Sequence, residues 1–251
     1  MTKDINKYWD KYKEIYSFEE ILKVYREKKA IEFLCKYKAK KILEIGCGFT
    51  PGFTKYKDFD SYTVVEPGND AYKHACDLAN GLKNIQCIND YFENCYSLIK
   101  DNQFDCIVST GVLHETPTPE KFLKTIGKLL TATTSAYINV PNALSFHRII
   151  AEKMGLIENV YQKTDRNIVL QQNVNFDVKL LLDIIKNNIP NADIVECKTF
   201  FFKPFTHAQM MQSIENNIID EKIIEGLYDI SDEFPNNGCE MYCVFKQKKE
   251  V

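Results

Sequence analysis

The stretch Leu43-Glu44-Ile45-Gly46-Cys47-Gly48 decides the reading of this chain. Short apolar runs ending in Gly-x-Gly mark a strand that enters a tight turn, where glycine lets the backbone turn sharply and approach a ligand. The dinucleotide-binding fingerprint would place a third glycine at position 51. Pro51 stands there and Gly52 follows one place late. Glu44 narrows the choice further, because it sets a carboxylate at the turn that a pyrophosphate would have to occupy. Such a charge favours a cationic ligand; the alternative is a strand-end glutamate that faces water.

Downstream of this run the pattern repeats. Apolar segments 41–45, 62–65, 84–88, 104–109 and 135–140 read as buried parallel strands separated by helical stretches. Thr118-Pro119-Glu120 predicts a capped helix start, followed by a stripe of Phe122, Leu123, Ile126, Leu129 and Leu130. A second stripe, Val178, Leu181, Leu182 and Ile185, precedes strand candidates at 194–202 and 240–245. Seven strands alternating with helices predict a doubly wound, mostly parallel α/β sheet, Rossmann-like, with ligands at the carboxyl ends of its strands. Phe18, Ile21, Leu22 and Tyr25 share one helical face, so two short helices are expected ahead of it. The expected organisation is a single domain: an N-terminal helical cap (1–39), a cofactor-binding half (40–140), and lid insertions with C-terminal strands (141–251). The lid segments are 141–174 and a helical stretch at 206–228, both expected over the carboxyl edge of the sheet.

Composition removes several classes of function. Lys and Arg total 32 against 35 Asp and Glu, a net charge of −3 that offers nucleic acid no general attraction. Nine cysteines, an odd number scattered through a chain of 251 residues with 45% hydrophobic content, read as reduced thiols. No Cys/His spacing suits zinc, and His114-Glu115, His74 and His207 form no metal-ligand pattern, so no metal is expected. Without a signal-peptide-like or membrane-spanning run, the cytoplasm is the expected compartment.

Two further acids complete the pattern. Glu66 ends the second strand, where an acid can accept from both hydroxyls of a ribose. Asp90 follows the third strand and precedes Tyr91 and Phe92. It is placed to accept from an adenine amino group while an aromatic packs on the ring, or else to form an ordinary Asp turn.

Residues 43–48, 63–67 (Thr-Val-Val-Glu-Pro), 89–92 (Asn-Asp-Tyr-Phe) and 104–115 together resemble the class I S-adenosylmethionine-dependent methyltransferases, strongly over 40–142 and in outline to the C-terminus. The resemblance implies that Glu44, Gly46, Cys47 and Gly48 hold the methionine portion of the cofactor. It further implies Glu66 and Pro67 at the ribose, Asp90 and Tyr91 at the adenine, and Thr110 beside the amino acid moiety. Thr50 departs from relatives that carry another glycine there. The product would be S-adenosylhomocysteine.

His114 follows the fourth strand at the expected mouth of the cleft and is a candidate base, with Glu115 to orient it; the alternative is a hydrogen-bonded loop histidine. Asn142, His147 and Arg148 open the lid, and the last two could hold an anionic or nucleotide-linked acceptor or lie on a solvated helix face. Tyr8, Trp9 and Tyr12 could close over cofactor and acceptor, or pack the N-terminal helix on the sheet. The stretch 142–148, Asn-Ala-Leu-Ser-Phe-His-Arg, resembles bacterial small-molecule and surface-sugar methyltransferases, which implies methylation of an oxygen of a sugar or phosphate-type group in capsule polysaccharide biosynthesis. A catalytically silent cofactor-binding partner subunit is the second reading, and a nucleic-acid or protein methyltransferase the third. DNA amino-methylating enzymes carry Asn/Asp-Pro-Pro-aromatic where this chain has Ser109-Thr110-Gly111-Val112. Oligomeric state has no signature in the sequence.

Overall fold

The computed structural model describes Ile5 and residues 18–248. Helix α1 (Glu19–Tyr37) leads into β1 (Lys41–Ile45), β2 (Ser61–Val65), α2 (Asn69–Ala79), β3 (Ile85–Ile88), α3 (Tyr96–Ile99), β4 (Cys106–Thr110), α4 (Pro119–Leu129) and β5 (Ser135–Pro141). The lid carries α5 (Phe146–Lys153) and α6 (Asp165–Val169). After it come α7 (Val178–Asn188), β6 (Ala192–Phe200), α8 (His207–Glu215), α9 (Glu221–Asp229) and β7 (Glu240–Gln247).

The seven strands form one sheet in the order β3-β2-β1-β4-β5-β7-β6, parallel except for β7, which runs antiparallel to both neighbours. Strand order reverses between β1 and β4, so a crevice opens beyond their carboxyl ends. Alternation along β1 assigns its faces: Ile42 packs with α1, while Leu43 and Ile45 join the core under α4 and α7. Glu44, two residues from Ile42, therefore points into the α1 side and is buried. The strand's periodicity, not its own chemistry, carries it there.

Helix α1 fulfils the apolar face read at Phe18 and Leu22, both buried, but runs through 19 residues rather than forming a short helix. Phe18 meets the edge of Phe201, their ring centroids 5.8 Å apart. The helix expected from Thr118 starts as anticipated at Pro119, although the Thr118 side chain makes no capping bond. Asp177 does cap α7, accepting from Leu180 N at 2.6 Å. The second lid segment differs from expectation. Met210, Ile219, Ile224 and Tyr228 pack against the α1-side core, and only its start reaches the crevice. Gly238 shows how tightly β7 is approached: an added Cβ would sit 2.5 Å from the backbone N and O of Phe200. All nine cysteines are free thiols.

Candidate active site

Beyond the carboxyl ends of β1 and β4 lies a cavity of about 600 Å3. Its floor is the turn after β1. Gly46 has φ +76° and Gly48 φ +53°, and an added Cβ on Gly46 would lie 2.4 Å from Val112 Cγ2. Both glycines are thus required by local geometry as well as by approach of a ligand.

Glu66 is 2% exposed and lines the cavity. Its Oε2 accepts from Gly48 N at 2.9 Å and its Oε1 from Gly68 N at 2.8 Å, so it ties the glycine turn to the start of α2. Held in this way, the carboxylate stands on the cavity wall, where it can accept from ribose hydroxyls. Pro67, Tyr91, Cys47 and Thr110 share this wall. Asp90 does not line the cavity. Its Oδ1 accepts from Tyr91 N at 2.7 Å and Asn94 Nδ2 at 3.0 Å, closing the turn at Phe92–Asn94, which is the Asp-turn arrangement. Glu93, unremarked in the sequence, lines the cavity instead, and burial raises its pKa.

Glu44 accepts from Gly52 N at 2.9 Å and from the Tyr62 hydroxyl at 3.0 Å. The late glycine now has a reason: a Cβ at Gly52 would fall 2.5 Å from that hydroxyl. Thr50, in the place of the other glycine, donates to Glu27 Oε1 at 2.6 Å and ties the loop to α1. Burial pushes the Glu44 carboxyl up to about 7, against the opposing pull of its two hydrogen bonds. Because the folded-state pKa is raised, the fold favours the protonated form, and this contribution to stability is lost as pH rises from the ordinary carboxylate range through 7. A cationic ligand favours the ionised form. Adenosylmethionine binding should therefore release a proton and tighten as pH rises from 6 to 8. Calorimetry in buffers of differing ionisation heat checks this; Glu44→Gln should remove the dependence, and a flat profile for the native chain would contradict it.

His114 is buried in the turn Leu113–Glu115 after β4 and lines the cavity. Its Nε2 stands 3.6 Å from Glu115 Oε1, so these adjacent side chains converge. The lid docks on this turn: Asn173 N donates to the His114 carbonyl at 2.8 Å, and Asn173 Nδ2 to the Glu115 carbonyl at 2.9 Å.

The substrate-side residues separate. Asn142 lines the cavity, yet its amide nitrogen donates to Asn236 O and Gly238 O and its Oδ1 accepts from Leu144 N, which fixes the end of β5 to the approach to β7. Arg148 donates from Nε to Val160 O at 2.8 Å and from Nη2 to Gln162 O at 2.6 Å, holding the lid's own loop. His147 faces the cavity, and burial, with Lys203 and Arg148 nearby, keeps its imidazole neutral. Tyr8, Trp9 and Tyr12 lie outside the described residues. The cavity also gathers Glu19, Arg26, Arg166, Lys203, His207 and Glu240, which no spacing rule connects. Arg166 pairs with Glu19 at 2.9 Å, and Arg26 also bonds Glu19.

A doubly wound sheet with glycines at positive φ after β1 and a buried acid after β2, both on one cavity, defines the class I adenosyl-cofactor architecture. Residues 18–176 match the family model described as a methyltransferase domain, more than half of the chain, and the chain belongs to that family. It is an S-adenosylmethionine-dependent methyltransferase. No curated protein matches it significantly in sequence. Among solved structures, the plantazolicin methyltransferase BamL, in complex with a triazolic desmethylPZN analog and SAH, is similar at TM-score 0.60 and 14% identity, over 92% of this chain and 88% of that one. The N-methyltransferase NodS from Bradyrhizobium japonicum WM9 is similar at 0.53 and 13%, over 92% and 99%. The [4+2]-cyclase SpnF is similar at 0.55 and 13%, over 84% and 76%. At these identities the likeness is one of fold. Among the described residues, no helix is long and apolar enough to cross a membrane.

Proposed function

We propose that the chain transfers a methyl group to an oxygen of a small acceptor, with His114 as the base and Glu115 as its orienting partner. One observation carries this: Glu66 with the glycine turn, and His114 with Glu115, line the same cavity. Gly46, Gly48, Glu66, Pro67 and Tyr91 would hold the cofactor, with Asp90 bracing the turn that presents Tyr91. The positive-φ glycines and the buried Glu66 carboxylate on the same cavity fit an adenosyl group. Bound there, the cofactor supplies an electrophilic methyl on sulfur. The protein's part would be to align the acceptor oxygen in line with that methyl and to take the acceptor's proton at His114. Exclusion of water falls to the lid docked on the His114 turn.

In this reading the acceptor is a small anionic molecule; a sugar or phosphate-type oxygen of a bacterial surface polysaccharide is the member that the resemblance favours, and nine free thiols suit a cytoplasmic site. The decisive experiment is incubation with adenosylmethionine and panels of hydroxyl, carboxyl and amine acceptors, reading adenosylhomocysteine and the methylated product. Methylation at oxygen supports the proposal. Product methylated only at nitrogen or carbon overturns the oxygen assignment, and cofactor binding without any turnover favours the silent-partner reading.

A further inference from the structure

The lid end of the cavity contains a cation that the methyl-transfer chemistry does not use. Lys203, in the loop between β6 and α8, is 2% exposed and lines the cavity. No hydrogen bond or ion pair ties it to any described residue, and its ammonium keeps contact with the cavity. A buried charge without a partner is costly, and chains keep one where something else pairs with it.

Its neighbours are already engaged. Glu19 is shared by Arg26 and Arg166, and it stands 3.8 Å from His207 Nε2. Glu240 accepts from Asn139 Nδ2 at 3.1 Å and lies 3.9 Å from Arg26. Arg166 also meets His207 Nδ1, so that nitrogen accepts and the imidazole is neutral, with its proton on Nε2. Beside Lys203, His147 Nδ1 and His207 Nε2 are buried polar atoms without a hydrogen-bond partner. Burial draws the Lys203 ammonium down to about 8, although Cys239, Glu19 and Glu240 favour its charged form. An anion brought to it would reverse that shift.

We propose that Lys203 receives one negative charge of the methyl acceptor, a carboxylate, while the acceptor's body lies against the aliphatic lid wall of Ala143, Ala151, Ile157, Leu170 and Val174. The inference rests on the methyl-transfer reading and names a carboxylate acceptor in place of the sugar or phosphate-type one that the resemblance favours. A single charge fits because, of the two lysines on the cavity that no described residue bonds, Lys203 is buried and Lys23 only half-buried, and the second charge of a phosphate would face Glu19 and Glu240. The five side chains of the aliphatic wall suit a hydrocarbon or aromatic body, while Thr164, Asn167, Gln172 and Asn175 make the rest of the lid lining polar. Arg148, which with His147 could by its sequence hold an anion or lie on a solvated helix face, is taken up by the lid's own carbonyls.

The test measures binding, with no turnover required. The full chain is first titrated with adenosylhomocysteine, and failure there counts against the cofactor reading alone. The loaded protein is then titrated with benzoate, 4-hydroxybenzoate and octanoate, each beside its methyl ester, and with glucose 1-phosphate. Each acid that binds should do so about tenfold or more tightly than its ester, as a charge-assisted contact requires. Lys203→Met should abolish that preference, leave adenosylhomocysteine affinity unchanged, and raise the Tm, since it removes an unpaired buried charge. The inference is overturned if no acid binds, if acids and esters bind alike, or if glucose 1-phosphate binds better than any carboxylate. It is equally overturned if Lys203→Met keeps the preference, weakens adenosylhomocysteine binding, or lowers the Tm, which would make Lys203 a cofactor or structural cation.

Discussion

Glu66→Ala should weaken adenosylmethionine binding by about a hundredfold, close to 3 kcal/mol, the worth of one or two charge-assisted hydrogen bonds. Two losses combine. The donors Gly48 N and Gly68 N, at 2.9 and 2.8 Å from the carboxylate, lose their acceptor, so the turn after β1 and the start of α2 are no longer held to each other. The carboxylate that the ribose hydroxyls would bond disappears with it. Unsatisfied buried N–H groups cost about 1–3 kcal/mol each, so the Tm should also fall. Glu66→Gln separates the two effects, because an amide oxygen can still accept from one glycine but brings no charge. Its Tm should lie nearer the native value while affinity stays low. Calorimetric binding beside thermal denaturation reads both, and native affinity in Glu66→Ala would remove Glu66 from the cofactor site.

The second large effect is expected at His114. His114→Ala should reduce kcat by about 10²- to 10⁴-fold, the usual contribution of a positioned base, with cofactor affinity unchanged. The split matters because His114 also anchors the lid, but through its backbone carbonyl, which the substitution keeps. A rise in acceptor KM with kcat intact would make the imidazole a binding group. Loss of the acid limb of the pH–rate profile in the variant would identify it as the titrating base. Glu115→Gln, which keeps the side-chain shape and removes the charge 3.6 Å from Nε2, should give a smaller fall in kcat.

Much of the sheet was legible because its signals are local. Apolar runs bounded by turns predicted β1 residue for residue and the other strands to within two positions at their ends. The strand at 194–202 ends earlier than its apolar run suggests. Phe201 takes φ +61°, leaves the ladder, and is buried in the α1-side core, and nothing in a run of three phenylalanines announces where the backbone turns. Position on the cavity was legible where one residue's place follows from strand end and turn: Gly46, Gly48, Glu66 and His114 all line it. It was opaque wherever a side chain had a choice of partner. Asp90 bonds within its own turn, Asn142 and Arg148 are taken by backbone groups many residues away, and Glu44 meets Gly52 and Tyr62 instead of standing open.

What the sequence determined by itself is the frame, since residue periodicity and the φ that only glycine tolerates are properties of a few consecutive residues. Leu43 to Gly48 carried that information, and the glycine turn lies where it was read. The tertiary structure alone decided which polar groups stay available. Antiparallel insertion of β7 between β5 and β6 brings the loop at Lys203 to α1 and the lid, so that residues separated by more than a hundred positions share one cavity. Burial there sets their protonation, and the competition among neighbours for each hydrogen bond leaves Lys203, rather than Arg148, to meet a ligand.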